Sequence, residues 1–193
     1  SVKVAGVTVA HPRNYWDEVV DQGAPQEAVN RLAPELASLE DRLFAESERA
    51  AAAGAKIIFW SEGNAVLPPE RREAFLQRAS HFAQQHGVYL APAYLVFEYG
   101  ATTGDNGLDM YAPDGSLAYQ YTKTKSWYAT DSDGLVRSVD TPYGRIASAI
   151  CFDMDFPAFI RQAARQVALL EQAQAAGKVQ RGIIAAGGQA GRG

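Results

Sequence analysis

Residues 56–97 read KIIFWSEGNAVLPPERREAFLQRASHFAQQHGVYLAPAYLVF and contain a strand, a helix and a second strand in succession. The β-branched and aromatic run at 56–60 is typical of a short buried strand. Residues 69–86 have apolar side chains at helical spacing, and Gly87 follows as a stop signal. Residues 88–97 return to a strand pattern. Strands that alternate with helices in this way predict the α/β class.

The segments on either side continue this alternation. A valine-rich run near the N-terminus predicts a first strand, and a stretch of helix formers with leucines three and four residues apart predicts an amphipathic helix. The first strand is predicted at residues 2–10 and the amphipathic helix at 26–53. Further strands are predicted at 109–112, 117–121, 134–139 and 144–150, and a further helix at 157–176. A Pro-Asp-Gly turn joins two of these strands, so the middle of the chain is expected to contain a hairpin.

Composition and charge restrict the class of protein. The 193 residues, of which 47% are hydrophobic, are enough for one domain with a sizeable core. A formal net charge of -4, with scattered Lys and Arg, provides no basic surface for nucleic acid. Every apolar run is shorter than the roughly 18 residues that a membrane-spanning helix needs. We therefore expect a soluble chain, with the cytoplasm favoured, that binds no nucleic acid and meets a membrane only as part of a larger parent.

A reactive side chain follows each of three apolar strands or hairpins: Glu62, Lys123 and Cys151. Active sites in open α/β sheets assemble at the carboxyl ends of strands, so these groups are candidates for one site. Each also has an ordinary structural explanation. A lone cysteine is commonly a buried hydrophobe, a loop carboxylate commonly caps a turn, and Lys123 and Lys125 fit a solvated strand edge with both side chains on one face. The combination of the three suggests chemistry more than any one of them does.

The chemistry that these residues predict is nucleophilic attack by a thiol. The single cysteine cannot form an internal disulfide, and the N–H groups at the start of the helix near Pro157 are expected to lower the pKa of the Cys151 thiol. Glu62, which follows two aromatic residues, would act as the general base. Lys123 or Lys125 would stabilise the oxyanion of a tetrahedral intermediate as a fixed positive charge.

The segment from Ile150 to Gln166, ICFDMDFPAFIRQAARQ, resembles the nucleophile segment of the nitrilase, or carbon–nitrogen hydrolase, superfamily. In that family a cysteine closes a strand and is followed by an aromatic residue, an aspartate and a short run to Phe-Pro and a helix. IIFWSEG resembles the segment with the general-base glutamate, and YAPDGSLAYQYTKTK resembles the hairpin and strand with the catalytic lysine. Within the superfamily the resemblance is nearest to the apolipoprotein N-acyltransferase branch, whose nitrilase-like domain accompanies membrane helices.

The resemblance implies a fold, residue roles and a reaction. The fold is a nitrilase-like α-β-β-α sandwich, with Cys151 as nucleophile, Glu62 as general base and Lys123 as oxyanion stabiliser. Lys125 is the lesser candidate for the lysine, and no cofactor or metal is implied. The expected function is that of a thiol-dependent amidase acting on a small amide through a Cys acyl-enzyme. The alternatives are an N-acyltransferase that takes an acyl donor through the same intermediate, and a non-catalytic nitrilase-like module.

The resemblance fails near the C-terminus. We predict that residues 1–168 form the catalytic domain and that residues 169–193, rich in Gln, Ala and Gly, form a weakly packed tail. The family pattern continues for a further third of the domain, so the sandwich is expected to be shortened. An incomplete sheet leaves strand edges and apolar surface to cover, and we therefore expect a homo-oligomer.

Overall fold

The structure, a computed structural model, describes residues 1–12, 15, 19, 21–101, 104–125, 132–163 and 165. The predicted tail, and the predicted helix beyond residue 165, lie outside these ranges. The helices are α1 (Gln26–Ala52), α2 (Arg72–His86) and α3 (residues 157–163). The strands are β1 (Val4–Val7), β2 (Ile57–Trp60), β3 (Ala65–Leu67), β4 (Tyr89–Ala91), β5 (Ala93–Phe97), β6 (Gly104–Tyr111), β7 (Leu117–Thr122), β8 (Ser138–Thr141) and β9 (Gly144–Ala147). No helix in the described ranges is apolar over a sufficient length to cross a membrane.

Seven of the strands form one mixed sheet, and β8 and β9 form a separate antiparallel hairpin. The neighbours β1, β2 and β4 run parallel, as do β3 and β5. Strand β6 runs antiparallel to β4 and β5, and β7 runs antiparallel to β6. The sheet therefore combines a parallel half, joined by helices, with an antiparallel half that is joined by hairpins.

Pro92 separates β4 from β5, because proline has no backbone N–H to donate to a neighbouring strand. Strand β2 pairs with β4 as far as Phe59, and β3 pairs with β5 from Ala65 onward. Residues 61–64 between β2 and β3, which include Glu62, belong to no strand. They form a loop beside the break in the sheet.

Helices α1 and α2 cover one face of the sheet. Leu43 of α1, Phe75 of α2 and Trp60 of β2 belong to one buried apolar cluster between the helices and the sheet. The indole Nε1 of Trp60 also donates a hydrogen bond to Ser47 Oγ at 2.8 Å. The end of β2, just before the loop with Glu62, is thereby fixed against α1.

The opposite face packs against the β8–β9 hairpin and α3. Leu108 and Tyr121 of the sheet share a buried cluster with Ile146 of the hairpin and Phe159 of α3. The layers are thus helices, sheet, and then hairpin with helix. This arrangement confirms the predicted α/β class and the sandwich order.

Several predicted strands need correction. Residues 88–97 form two strands and not one, and β3 was not predicted. Strand β6 begins at Gly104, well before the predicted start at residue 109. Strands β1 and β9 are shorter than predicted, and β8 lies at Ser138–Thr141 and not at 134–139.

Candidate active site

The structure brings Glu62, Lys123 and Cys151 together from three separate segments. The ammonium Nζ of Lys123 lies 2.5 Å from Oε1 of Glu62. Both groups lie near enough to the Cys151 thiol to change its pKa, which the Glu62 carboxylate raises and the Lys123 ammonium lowers. A carboxylate and an ammonium beside a thiol are the groups that a base-assisted nucleophile requires.

The loop that carries Glu62 is held by polar contacts to the N-terminal segment. The buried side chain of Asn64 donates to the backbone oxygen of Val9 at 2.6 Å and accepts from the backbone N–H of Val9 at 2.8 Å. His11 Nε2 lies 2.8 Å from the backbone oxygen of Gly63. Gly63 has a φ of 58°, a left-handed conformation that glycine adopts without steric cost. These contacts hold the backbone of the loop on either side of Glu62.

Asn106 of β6 is a second donor to Glu62. Its Nδ2 lies 2.8 Å from the same Oε1 atom that Lys123 contacts, and the residue is only 6% exposed. Its Oδ1 atom has no hydrogen-bond partner among the described residues. Both donors therefore hold the same carboxylate oxygen of Glu62.

Lys123 is buried and points into the site, whereas Lys125 does not. Lys123 is 7% exposed, and its backbone N–H donates to the oxygen of Asn106 at 2.9 Å, which anchors it just beyond β7. The Lys125 Nζ lies 5.1 Å from the centre of the Phe156 ring. The prediction that both lysines lie on one face of a strand is wrong, because β7 ends at Thr122 and the chain turns there.

Cys151 begins a short 3₁₀ turn, Cys151–Asp155, at the end of an extended segment that follows β9. Its φ of 44° is in the left-handed region, which costs a non-glycine residue about 1 kcal/mol or more. Strain of this kind persists only where surrounding contacts enforce it. The tight turn presents the half-buried thiol to Glu62.

The expected lowering of the thiol pKa is wrong in direction. Burial raises the pKa of the Cys151 thiol above its ordinary value, and the hydrogen bond and negative charge of Glu62 raise it further. The Lys123 ammonium and the N–H of Phe152 lower it, but by less. The thiol is therefore the resting form near neutral pH, and it needs a base at the moment of attack.

A groove of about 610 Å³ lies along α2 and is lined by residues that include Arg72, Ser80 and Tyr111. None of the three candidate residues lines this groove. No group of three or more His, Cys, Asp and Glu side chains in the described ranges could hold a metal ion.

Two residues of the site escaped the sequence prediction. Asn106 lies in a Gly- and Asp-rich stretch that does not resemble a strand, and Asp153 was treated only as part of a motif. The one available signal was that each is a polar residue within two positions of a strand end or a reactive group. Such residues are common, and only the tertiary contacts distinguish these two.

The sequence matches the family model described as carbon-nitrogen hydrolase over residues 21–174. No curated protein matches the sequence.

Solved structures with the same fold include an amidase from Nesterenkonia sp. AN1. A cysteine-to-alanine mutant of this amidase, described as a member of the nitrilase superfamily, has 15% sequence identity and a TM-score of 0.62, over 98% of this chain and 66% of that chain. A cysteine-to-alanine mutant in complex with butyramide has 15% identity and a TM-score of 0.55, over 66% of this chain and 54% of that chain.

A third structure is a glutamate-to-glutamine mutant of the same amidase that shows covalent addition of the acetamide moiety of fluoroacetamide at the active site cysteine. It has 16% identity and a TM-score of 0.57, over 68% of this chain and 56% of that chain. This chain thus spans between 54% and 66% of the length of these amidase chains. At these identities the likeness shows the fold.

Proposed function

Because the chain belongs to the carbon–nitrogen hydrolase family, we propose that it is a thiol-dependent amidase in which Cys151 is the nucleophile, Glu62 the general base and Lys123 the oxyanion stabiliser. The observation that carries this proposal is the proximity of the three groups. Glu62 lies 2.5 Å from the Lys123 ammonium, and both groups act on the pKa of the Cys151 thiol. The fold of the Nesterenkonia amidase, whose active site cysteine forms covalent adducts, supports it.

The first step follows from the resting thiol. Glu62 takes the proton from the sulfur as the sulfur attacks the carbonyl carbon of the amide, and the carbonyl oxygen becomes an oxyanion. An ammonium has three N–H donors, so Lys123 can hold Glu62 with one and direct another toward the oxyanion. The N–H of Phe152 lowers the pKa of the Cys151 thiol, and this group beside the sulfur is a second candidate donor to the oxyanion.

The second step breaks the carbon–nitrogen bond. The protonated Glu62 donates its proton to the leaving nitrogen, and ammonia or an amine departs from a thioester at Cys151. Glu62, again a carboxylate, then removes a proton from water, and the hydroxide attacks the thioester. The acid is released and the thiol regains the proton from Glu62.

The acceptor in that last step separates the amidase from the N-acyltransferase alternative. Hydrolysis and transfer share the thioester, and an amine acceptor in place of water would yield a new amide. Butyramide, which the Nesterenkonia amidase mutant binds, is a suitable first substrate because it is short and uncharged. Ammonia release with and without an added amine acceptor distinguishes the two reactions.

The assembly of the three groups is tested by the pH dependence of iodoacetamide alkylation. The chain has one cysteine, so the reagent reports on Cys151 alone. Glu62→Gln removes a contact that raises the thiol pKa and should move the alkylation profile to lower pH. Lys123→Met removes a charge that lowers it and should move the profile to higher pH. Both variants should lose butyramide turnover, by about 100-fold or more for the base.

Lys125→Met is the matched control, since it makes the same chemical change two residues after Lys123. The Lys125 ammonium lies over the Phe156 ring. It should alkylate and turn over like wild type. If Glu62→Gln and Lys123→Met both keep the wild-type alkylation profile, the three groups are not in contact in solution, and the non-catalytic module is the better description.

A further inference from the structure

Asp153 is completely buried and lies two residues after the nucleophile. Its carboxylate accepts four hydrogen bonds, two at each oxygen. They come from Thr124 N at 3.1 Å and Lys125 N at 2.6 Å on Oδ1, and from Ile150 N at 3.1 Å and the Tyr121 hydroxyl at 2.5 Å on Oδ2. Burying a carboxylate is costly unless its oxygens are hydrogen-bonded, and here both oxygens are.

The four donors have a common property: each lies within two residues of Lys123 or directly before Cys151. Tyr121 lies on β7 two residues before Lys123, and the N–H groups of Thr124 and Lys125 follow Lys123. The fourth donor is the N–H of Ile150. One side chain thereby joins the end of β7 to the turn that carries the nucleophile, although the two segments are far apart in the sequence.

The nature of the Tyr121 contact strengthens this link. Burial raises the pKa of Tyr121, and the hydrogen bond and charge of Asp153 raise it further, so the hydroxyl keeps its proton and acts as the donor. The Ile150 contact is equally specific, since it holds the residue that enters the strained turn at Cys151, where φ is 44°. A strained conformation persists only when neighbouring contacts over-determine it.

We propose that Asp153 is a positioning residue that sets the separation between the Cys151 sulfur and the Lys123 ammonium. It acts through the backbone on either side of the two reactive groups and touches neither of them with its carboxylate. This inference rests on the proposed amidase function. A positioning role differs from a purely stabilising one, because a positioning residue changes the geometry of the site in molecules that are already folded.

The test is Asp153→Asn, which keeps the shape of the side chain but replaces one carboxylate oxygen by an NH₂ group. That NH₂ group then faces two groups that donated hydrogen bonds to the oxygen in wild type. The Tyr121 hydroxyl can turn to accept, but a backbone N–H cannot. The turn at Cys151 and the end of β7 should then move apart. We expect the alkylation profile of Cys151 to shift away from that of wild type, because its distances from Glu62 and Lys123 change, and butyramide turnover to fall by about 100-fold, the scale expected for a displacement of about 1 Å.

Ser80→Ala is the control for lost stability. It removes a half-buried hydroxyl that donates to the backbone oxygen of Gly115 at 2.6 Å, in the turn between β6 and β7 at the end of β7 opposite Lys123. It should lower the unfolding midpoint yet leave the alkylation profile and turnover of the folded protein unchanged. Asp155→Asn, an exposed neighbour, should alter none of these quantities.

The proposal would be overturned if the Asp153→Asn variant unfolds more easily but keeps the wild-type alkylation profile of Cys151. Such a result, with Glu62→Gln and Lys123→Met still shifted, refutes the positioning role alone and leaves the amidase intact. If Asp153→Asn does not fold, Tyr121→Phe removes a single donor and must shift the profile away from that of wild type. A wild-type profile in Tyr121→Phe would then count against the positioning role.

Discussion

Replacing Lys123 with methionine removes the ammonium from its ion pair with Glu62 and should destabilise the folded chain. The side chains are only 9% and 25% exposed, and the nitrogen and oxygen are 2.5 Å apart. Removing one partner of a buried pair leaves the other charge without compensation, at a cost of about 3–5 kcal/mol. Because Glu62 keeps some contact with water and a hydrogen bond from Asn106, we expect the lower end, about 3 kcal/mol.

Glu62→Gln leaves the opposite charge uncompensated and should cost about as much. The double variant Glu62→Gln/Lys123→Met contains neither charge, so it should be more stable than the sum of the two losses indicates. We expect a coupling energy of about 2 kcal/mol.

Urea unfolding of the four proteins measures this coupling. At a slope of about 2 kcal/mol per M, each single variant should lower the midpoint by about 1.5 M. The double variant should recover about 1 M of the summed loss. The control cycle pairs Glu62→Gln with Lys125→Met, whose ammonium lies over Phe156, and its two losses should add.

A coupling energy below about 0.5 kcal/mol would refute the reasoning, because it would mean that water screens the pair as it does on a protein surface. The ion pair would then not hold Glu62 beside the thiol.

Two further variants test the surroundings of the site. Asn64→Ala leaves the backbone N–H and oxygen of Val9 without their partner and should cost about 2 kcal/mol in urea unfolding, whereas Gln77→Ala, which removes an exposed contact with Glu73, should cost almost nothing. Equal losses in the two variants would contradict the assigned role of Asn64. Burial raises the pKa of Asp109, so its contribution to stability is complete below the ordinary value of 3.8 and is lost as pH rises through the raised pKa of the folded chain. Asp109→Asn, which stays neutral, should therefore gain stability relative to wild type as the pH rises above 3.8, and a difference that does not vary with pH would contradict this.

Much of the parallel half of the fold is predictable because its signals are local. The apolar stripe of α1, the glycine that ends α2 and the aromatic run of β2 each specify one element without reference to the rest of the chain. The α/β class, and the position of Glu62 just after β2, follow from these elements in order.

The antiparallel half is less predictable because its strands depend on their partners. Gly104 and Asn106 are poor strand formers. Strand β6 nevertheless begins at Gly104, because the whole of β5 pairs with residues 104–108. Strand β3 has only three residues between a turn and a proline pair, too few for a periodic signal. Pro92 divides a run that otherwise reads as one strand.

The polar contacts of the site depend on tertiary structure even more. The direction of the Cys151 pKa was predicted from one helix end, but burial and the nearby Glu62 carboxylate outweigh that effect. The contacts of Asn106 and Asp153 join residues that are distant in sequence, and no local pattern specifies them.

The left-handed backbone at Cys151 sets selection for activity against selection for stability. Glycine adopts a φ of 44° freely, so Cys151→Gly should relieve strain while it removes the nucleophile. A lineage that no longer needed the reaction would be free to drift toward glycine at this position. Laboratory evolution that screens for thermal resistance alone would tend to discard the thiol, and a screen meant to improve this chain has to include turnover.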